Sequence, residues 1–124
     1  MNNQVLEAIV EASVTMHNKM GLTLVVQQVQ AGPRKGKWVI GAVPRSERAR
    51  RFLEGLELRF RFRDPLPVTA PVDWAPDREA GITFMPRFYF DSEDEVAAFC
   101  LGLDTLVDWS SDGFATYDLI ARTK

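Results

Sequence analysis

The chain has 124 residues, of which 46% are hydrophobic and 26% charged, and its formal net charge is -2. This size and composition predict one globular domain spanning residues 1–124 and exclude a disordered or fibrous chain. The single cysteine, Cys100, excludes an intrachain disulfide framework, and the absence of a basic leader or a long apolar run predicts a cytoplasmic protein without a membrane span.

The first 43 residues predict a helix followed by a hairpin. Asn2 or Asn3 is placed to cap the helix, and Gly21 is placed to end it. Between them, apolar and small residues recur at helical spacing, at Val5, Leu6, Ile9, Val10, Ser13 and Met16. The β-rich runs 22–30 and 37–43 are joined by a short loop that contains glycine and proline, which predicts a hairpin. A phosphate-binding loop is the alternative, but the spacing and the following helix of that motif are missing.

The middle of the chain contains the most regular alternation in the sequence. Ser46 caps a predicted short helix over 47–54, which Gly55 is expected to end. Residues 56–63 then alternate between apolar and charged side chains, and this predicts a strand with one apolar and one cationic face. Residues 64–81 are rich in proline and predict a long loop without regular structure.

The last third predicts a strand, a helix and a final strand. Residues 82–90 alternate as a strand does, and Pro86 within them indicates an edge position or a bulge. Ser92 and Glu95 match a capping box, and an apolar stripe continues from there to about Trp109. Residues 114–122 predict the last strand. We therefore expect an α+β fold of order αββαββαβ, with a mainly antiparallel sheet of about five strands and helices packed on one face.

The residues that usually carry chemistry are few. One histidine and one cysteine, distant in sequence, cannot supply a zinc site, and His17 stands alone beside a helix end. Cys100 lies in an apolar helical stripe without a neighbour in sequence that would activate its thiol. The sequence thus predicts no catalytic residue, no metal, no cofactor and no enzyme. An enzyme with a substrate bound under the 64–81 loop is the remaining catalytic alternative.

Charge is strongly segregated along the chain. Residues 1–30 carry a net charge of about -1, residues 31–63 about +7 and residues 64–124 about -8. Either two oppositely charged surfaces or one internally neutralised surface results. The leading candidate binding residues are Arg59, Arg61, Arg63, Arg87, Tyr89 and Trp74, where Trp74 either anchors a partner or folds back over the core. A secondary basic patch contains Arg34, Lys35, Lys37, Arg48, Arg50 and Arg51. An acidic patch contains Asp94, Asp104 and Asp108.

These features favour binding over catalysis. We expect a small protein-binding domain, such as an inhibitor, an immunity protein or an adaptor, that occupies a partner protein's surface. The alternative is a nucleic-acid-binding accessory protein that uses the cationic sheet face. The sequence pI of about 5.4 favours the protein partner, because nucleic-acid platforms are usually basic domains. A homodimer through an edge strand or the cationic face is a further expected mode of association.

Overall fold

A computed structural model describes residues 1–61, 68–76 and 86–107. Within these ranges the fold is α+β, with three helices and a four-stranded antiparallel sheet. The elements are α1 (Asn3–Met20), β1 (Leu22–Gln28), β2 (Trp38–Pro44), α2 (Glu47–Arg61), β3 (Asp73–Pro76), β4 (Pro86–Phe90) and α3, helical over residues 93–107. The α+β class is confirmed, while the predicted strand 114–122 lies outside the described residues.

Helix α1 begins and ends where its caps predict. The Val5 amide donates to Asn2 Oδ1 at 2.9 Å, and Gly21 adopts a left-handed conformation with φ of 67°. The buried side differs from the predicted stripe, because Leu6 and Val10 are about half exposed. The helix instead buries Val5, Ala8, Ala12, Met16 and Met20. Ala8 and Ala12 lie at the contact of α1 with α3.

The sheet has the order β1-β2-β4-β3, and all neighbouring strands are antiparallel. The predicted hairpin is confirmed, with Leu22 opposite Pro44 and Gln28 opposite Trp38. Of the two alternatives predicted for Pro86, the edge position is wrong, because β4 lies between β2 and β3, and the bulge stays a prediction. Proline is tolerated there because it is the first residue of β4 and the ladder with β2 ends at Arg87.

The predicted strand 56–63 is wrong over residues 56–61, which continue α2; residues 62–63 lie outside the described part of the chain. Ala49, Phe52, Leu53 and Leu56 recur at helical spacing, and each is at most 3% exposed. A strand starting at residue 56 would match the local alternation of apolar and charged residues. Leu56 would then no longer lie at helical spacing from the buried Phe52 and Leu53. Gly55 is itself buried within the helix and does not end it.

Strand β3 lies in the segment that was expected to have no regular structure. Asp73 pairs with Tyr89 and Trp74 with Phe88, so β3 is the second edge of the sheet as far as the described residues form it. An edge position suits a proline-rich strand, since only one side of its backbone must be hydrogen-bonded. Trp74 is partly buried and packs against the core, which agrees with the folded-back placement.

Among the described residues, one core cluster lies between the sheet and the helices. Alternate residues of the strands enter it, among them Leu22, Ile40, Phe88 and Phe90. All three helices contribute to the same cluster, through Met16 of α1, Leu53 of α2 and Phe99 of α3 among others. The described helices therefore pack on one face of the sheet, which we call the inner face.

Ser46 joins the end of α1 to the start of α2. Its hydroxyl donates to the Met20 carbonyl at 2.6 Å and accepts from the Ala49 amide at 3.0 Å. The Arg45 amide donates to the Gly21 carbonyl at 2.7 Å beside it. One side chain therefore satisfies a terminal carbonyl of one helix and a terminal amide of the next.

The segment before β3 lies directly against α3 at Gly102. A Cβ atom added to Gly102 would lie 3.0 Å from Val68 Cβ and closer still to its Cγ1. We expect Gly102→Ala to lower the free energy of unfolding by about 1 kcal/mol, because overpacking exceeds the gain in helix propensity. Urea denaturation of a double-mutant cycle with Val68→Ala checks this, since removing the valine methyls should relieve part of the cost. Strictly additive costs would contradict this contact.

Candidate binding surface

The face of the sheet opposite the helices carries the alternate residues of each strand. The strand registers place together Thr23, Val25 and Gln27 of β1, Val39, Gly41 and Val43 of β2, Arg87 and Tyr89 of β4, and Asp73 of β3. We call this the outer face. Val25, Gln27 and Arg87 are exposed on it, so it is accessible to a partner over at least these residues.

The loop between β1 and β2 brings a cationic side chain onto the outer face. Its backbone is closed by hydrogen bonds from the Gly36 amide to the Val29 carbonyl at 2.9 Å and from the Lys35 amide to the Gly32 carbonyl at 3.1 Å. Gly32 and Gly36 both have φ of 89°, a conformation that favours glycine. This compact turn fixes the position from which Arg34 extends over β4.

Arg34 is held by two groups at once. Its Nη2 and Nε atoms each lie 2.6 Å from Asp73 Oδ2, and its Cζ lies 4.4 Å from the centre of the Tyr89 ring. The other carboxylate oxygen of Asp73 accepts from the Trp74 amide at 2.7 Å. The hydrogen bond with Asp73 raises the pKa of Arg34 above its usual range, so its charge is permanent at any physiological pH.

The stacking of Arg34 explains an unexpected burial. Tyr89 lies on the outer face, yet it is only 6% exposed, with the Arg34 guanidinium over its ring and Val39 opposite it on β2. The pair is therefore positioned before any partner arrives. Cation–π contacts of this kind contribute roughly 0.5–1 kcal/mol at exposed sites.

An open depression of about 360 Å³ lies beside this pair. Its lining includes the buried side chains of Val39 and Tyr89, and the more exposed Gln27, Arg34 and Arg87. An apolar floor with a polar, cationic rim suits a side chain that combines hydrocarbon or an aromatic ring with a carboxylate. Among the described residues that line it, none is a histidine or a cysteine.

The charge segregation of the sequence is partly neutralised by ion pairs between distant segments. Lys37 Nζ lies 2.6 Å from Asp91 Oδ1 and Lys19 Nζ lies 2.8 Å from Asp104 Oδ1, in addition to the Arg34–Asp73 pair. The charge around the start of α2 is less fully neutralised. Arg45 precedes α2, and Arg48, Arg50 and Arg51 lie in its first turns; all four are exposed, and we call them the α2 basic patch. Glu47 lies 3.7 Å from Arg50 and 3.5 Å from Arg51, so the patch keeps an excess of positive charge.

The predicted cationic sheet face is not assembled. Arg59 and Arg61 belong to α2, in the helical layer, whereas Arg87 and Tyr89 lie on the outer face. Arg63 lies outside the described residues. The cause is the helical structure of 56–61, because alternate residues share one face in a strand but not in a helix.

The other predicted groups are also separated. Arg34, Lys35 and Lys37 lie at the loop end of the β1–β2 hairpin, while Arg48, Arg50 and Arg51 follow its opposite end. Asp94 and Asp104 are exposed on α3, and Asp108 lies outside the described residues. Sequence reasoning missed Asp73 as the partner of Arg34, since its position depends on β3.

The one histidine and the one cysteine of the chain lie on different helices. His17 is exposed on α1, and Cys100 is buried in α3, where burial raises the pKa of its thiol to about 12. Within the ranges that the structure describes, no cluster of three or more His, Cys, Asp or Glu residues is arranged to hold a metal ion. No helix of those ranges has the length and apolar composition needed to cross a membrane.

Comparison of the chain with protein-family models, with curated proteins and with solved structures gives no match.

Proposed function

We propose that this chain is a non-enzymatic protein-binding domain of the cytoplasm, which acts by occupying a partner's surface as an inhibitor, an immunity protein or an adaptor does. The observation that supports this is the Arg34 side chain, held over Tyr89 by Asp73 beside an open depression on the outer face. The contact surface is the part of the outer face around that depression.

Arginine and tyrosine are the residue types that most often dominate the binding energy of protein interfaces. Arg34 is already fixed by Asp73 and by the Tyr89 ring, so a partner that contacts it causes little further loss of side-chain entropy. The buried Val39 and Tyr89 side chains below it are largely dehydrated before binding. These properties are typical of an interface centre.

The partner's surface is expected to be acidic. Arg87 lines the depression and Lys35 is exposed at the tip of the adjacent loop, whereas the charge of Arg34 is already opposed by Asp73. Positive groups around an apolar centre increase the association rate with an acidic surface and disfavour basic partners. A glutamate or aspartate flanked by an apolar residue is the kind of partner segment that fits this arrangement.

The α2 basic patch supports a second candidate, nucleic-acid binding. Arg45, Arg48, Arg50 and Arg51 are exposed within one stretch of seven residues, and such clusters contact phosphates. Binding of this kind is electrostatic and weakens steeply as salt increases. It would use a different end of the molecule from the depression.

Two variants separate the candidates. The full chain is used as bait in its own cell lysate at physiological salt, and the captured protein is then titrated with purified wild type. Arg34→Ala should raise the Kd for that partner by at least about 30-fold, as hot-spot truncations do, whereas Arg50→Ala/Arg51→Ala should leave the Kd unchanged. Failure to capture a protein, or capture that is insensitive to Arg34→Ala, contradicts the proposal.

The nucleic-acid candidate is tested on the same proteins. Fluorescence anisotropy with labelled duplex and single-stranded oligonucleotides should show salt-dependent binding that is lost in Arg50→Ala/Arg51→Ala and retained in Arg34→Ala. Absence of binding at low salt removes this candidate.

A further inference from the structure

Gly41 lies in the middle of β2, an inner strand of the sheet. It pairs with Val25 of β1 on one side and with Arg87 of β4 on the other. Glycine weakens a strand interior, because it loses more conformational freedom on folding than other residues and has no side chain to pack. A glycine at this position therefore needs a reason, either in the backbone or in a group that approaches it.

The backbone does not require glycine at position 41. Gly41 is not among the glycines of positive φ, which are Gly21, Gly32 and Gly36, so its φ is one that any residue adopts. The registers of β2 with both neighbouring strands run through residue 41 without an extra residue, so it does not form a bulge.

There is also room for a side chain at this position. A Cβ atom built on Gly41 would lie 3.8 Å from the Val25 carbonyl oxygen and 4.0 Å from Val25 Cβ, which are ordinary van der Waals distances. At Gly102, by contrast, the added Cβ would lie 3.0 Å from Val68 Cβ and closer still to its Cγ1. Close packing therefore explains Gly102 but not Gly41.

The missing side chain leaves a gap on the outer face. Its neighbours on that face are Val25 and Arg87 across the strands, and Val39 and Val43 along β2. Gly41 itself is partly exposed, and Val25 and Arg87 on either side of it are exposed, so solvent reaches the gap. Val39 and Arg87 also line the open depression described above, so the gap adjoins it.

We propose that Gly41 is a specificity-determining residue, whose missing side chain admits an aromatic ring that lies flat on β2 and carries a carboxylate next to Arg87. The inference rests on the proposed function, from which it takes an acidic protein as the source of that ring. Valines on three sides of the gap offer apolar contact, and Arg87 on the fourth side offers a cation.

The dimensions of the gap suit a ring. Adjacent strands lie about 4.8 Å apart, so β1 and β4 are separated by about 10 Å across Gly41. Val39 and Val43 are about 13 Å apart along β2. A flat ring fills this width against bare backbone, and aromatic side chains are enriched at the centres of protein interfaces. A side chain at position 41 would occupy the space that the ring needs.

The first test measures stability and needs no partner. Gly41→Ala and Gly41→Val should each raise the thermal midpoint of the full chain by about 2 to 5 °C, because both residues suit a strand better than glycine. Gly102→Ala is the matched control, and its midpoint should fall, because there the added Cβ has no room. A lower midpoint for Gly41→Ala would mean that the fold itself requires the glycine, and it would overturn the proposal.

The second test uses 3-phenylpropionate as the probe, since it joins one ring to one carboxylate. Titration of the 15N-labelled full chain, followed by the amide signals of Val25, Gly41 and Arg87, should give a Kd in the millimolar range. Propionate, without the ring, and 3-phenylpropanamide, without the charge, should each bind at least about 5-fold more weakly. Gly41→Val should raise the Kd for 3-phenylpropionate at least about 10-fold, whereas Gly102→Ala should leave it unchanged. Absence of binding to the wild type, or equal binding to Gly41→Val, overturns the proposal.

The partner captured in the Arg34→Ala experiment separates this inference from the proposed function. Gly41→Val should raise the Kd for that partner at least about 10-fold. A partner that is sensitive to Arg34→Ala but not to Gly41→Val overturns the role of Gly41 and leaves the proposed function in place. Failure to capture a protein overturns the protein partner, while the probe titration still decides whether the gap binds an aromatic carboxylate.

Discussion

Replacing Phe99 with alanine should lower the free energy of unfolding by about 3 to 5 kcal/mol. Phe99 is 1% exposed, and its ring centre lies 5.2 Å from that of Phe90 and 6.2 Å from that of Phe88. It is the ring through which α3 packs on β4. Since domains of this kind are stable by only about 5 to 15 kcal/mol, the variant should lose a large part of its stability.

Urea denaturation followed by far-ultraviolet circular dichroism measures this loss. Leu101→Ala is the control, because Leu101 lies two residues further along α3 and is 68% exposed; its change should stay within about 0.5 kcal/mol. If the two variants were equally stable, α3 would not contact the sheet through Phe99.

The Cys100 thiol should react with iodoacetamide at pH 8 about three orders of magnitude more slowly in the native protein than in the unfolded chain. Cys100 is 4% exposed, and burial raises the pKa of its thiol to about 12. The reactive thiolate is therefore almost unpopulated at this pH, whereas an ordinary thiol is substantially ionised. Mass spectrometry in the absence and presence of guanidinium measures both rates. Rapid native labelling would place Cys100 in an accessible environment.

The same thiol contributes to alkaline instability. Burial raises the pKa of the Cys100 thiol in the folded state. Its contribution to the free energy of unfolding is therefore complete below the ordinary thiol pKa and is lost as the pH rises toward about 12. Within this interval its contribution falls by up to about 1.4 kcal/mol per pH unit. Urea midpoints between pH 8 and 11 should therefore fall more steeply for the wild type than for Cys100→Ala. Equal slopes would contradict the assignment.

The elements with local signals were predictable from sequence. Asn2 and Gly21 define α1, alternation and a glycine-containing loop define the hairpin, and the Ser92 hydroxyl accepts from the Glu95 amide at 3.3 Å as the capping box predicts. The helical structure of residues 56–61 was not predictable from local signals. Their alternation is a local pattern, whereas the burial of Leu56 with Phe52 and Leu53 depends on the whole core. Strand β3 has no signal of its own and exists through its pairing with β4.

The candidate site was predictable only in part. Alternation along 82–90 correctly placed Arg87 and Tyr89 on one face. Arg34 was identified as part of a basic loop, but its bond to Asp73 spans 39 residues of sequence and requires the register of β3. The alternation of 56–63 predicts a strand that would bring its arginines beside them, and the helical structure of 56–61 removes that placement.

The position of β4 between β2 and β3 affects how the chain is made. The second side of β2, from Trp38 to Gly41, pairs only with residues 87–90 in the described fold. During synthesis at roughly 5 to 20 residues per second, the completed hairpin therefore waits for several seconds with Ile40 and its neighbours unpaired. A nascent chain at this stage exposes the side of β2 that β4 covers in the folded sheet, and this interval is when aggregation competes most strongly with folding.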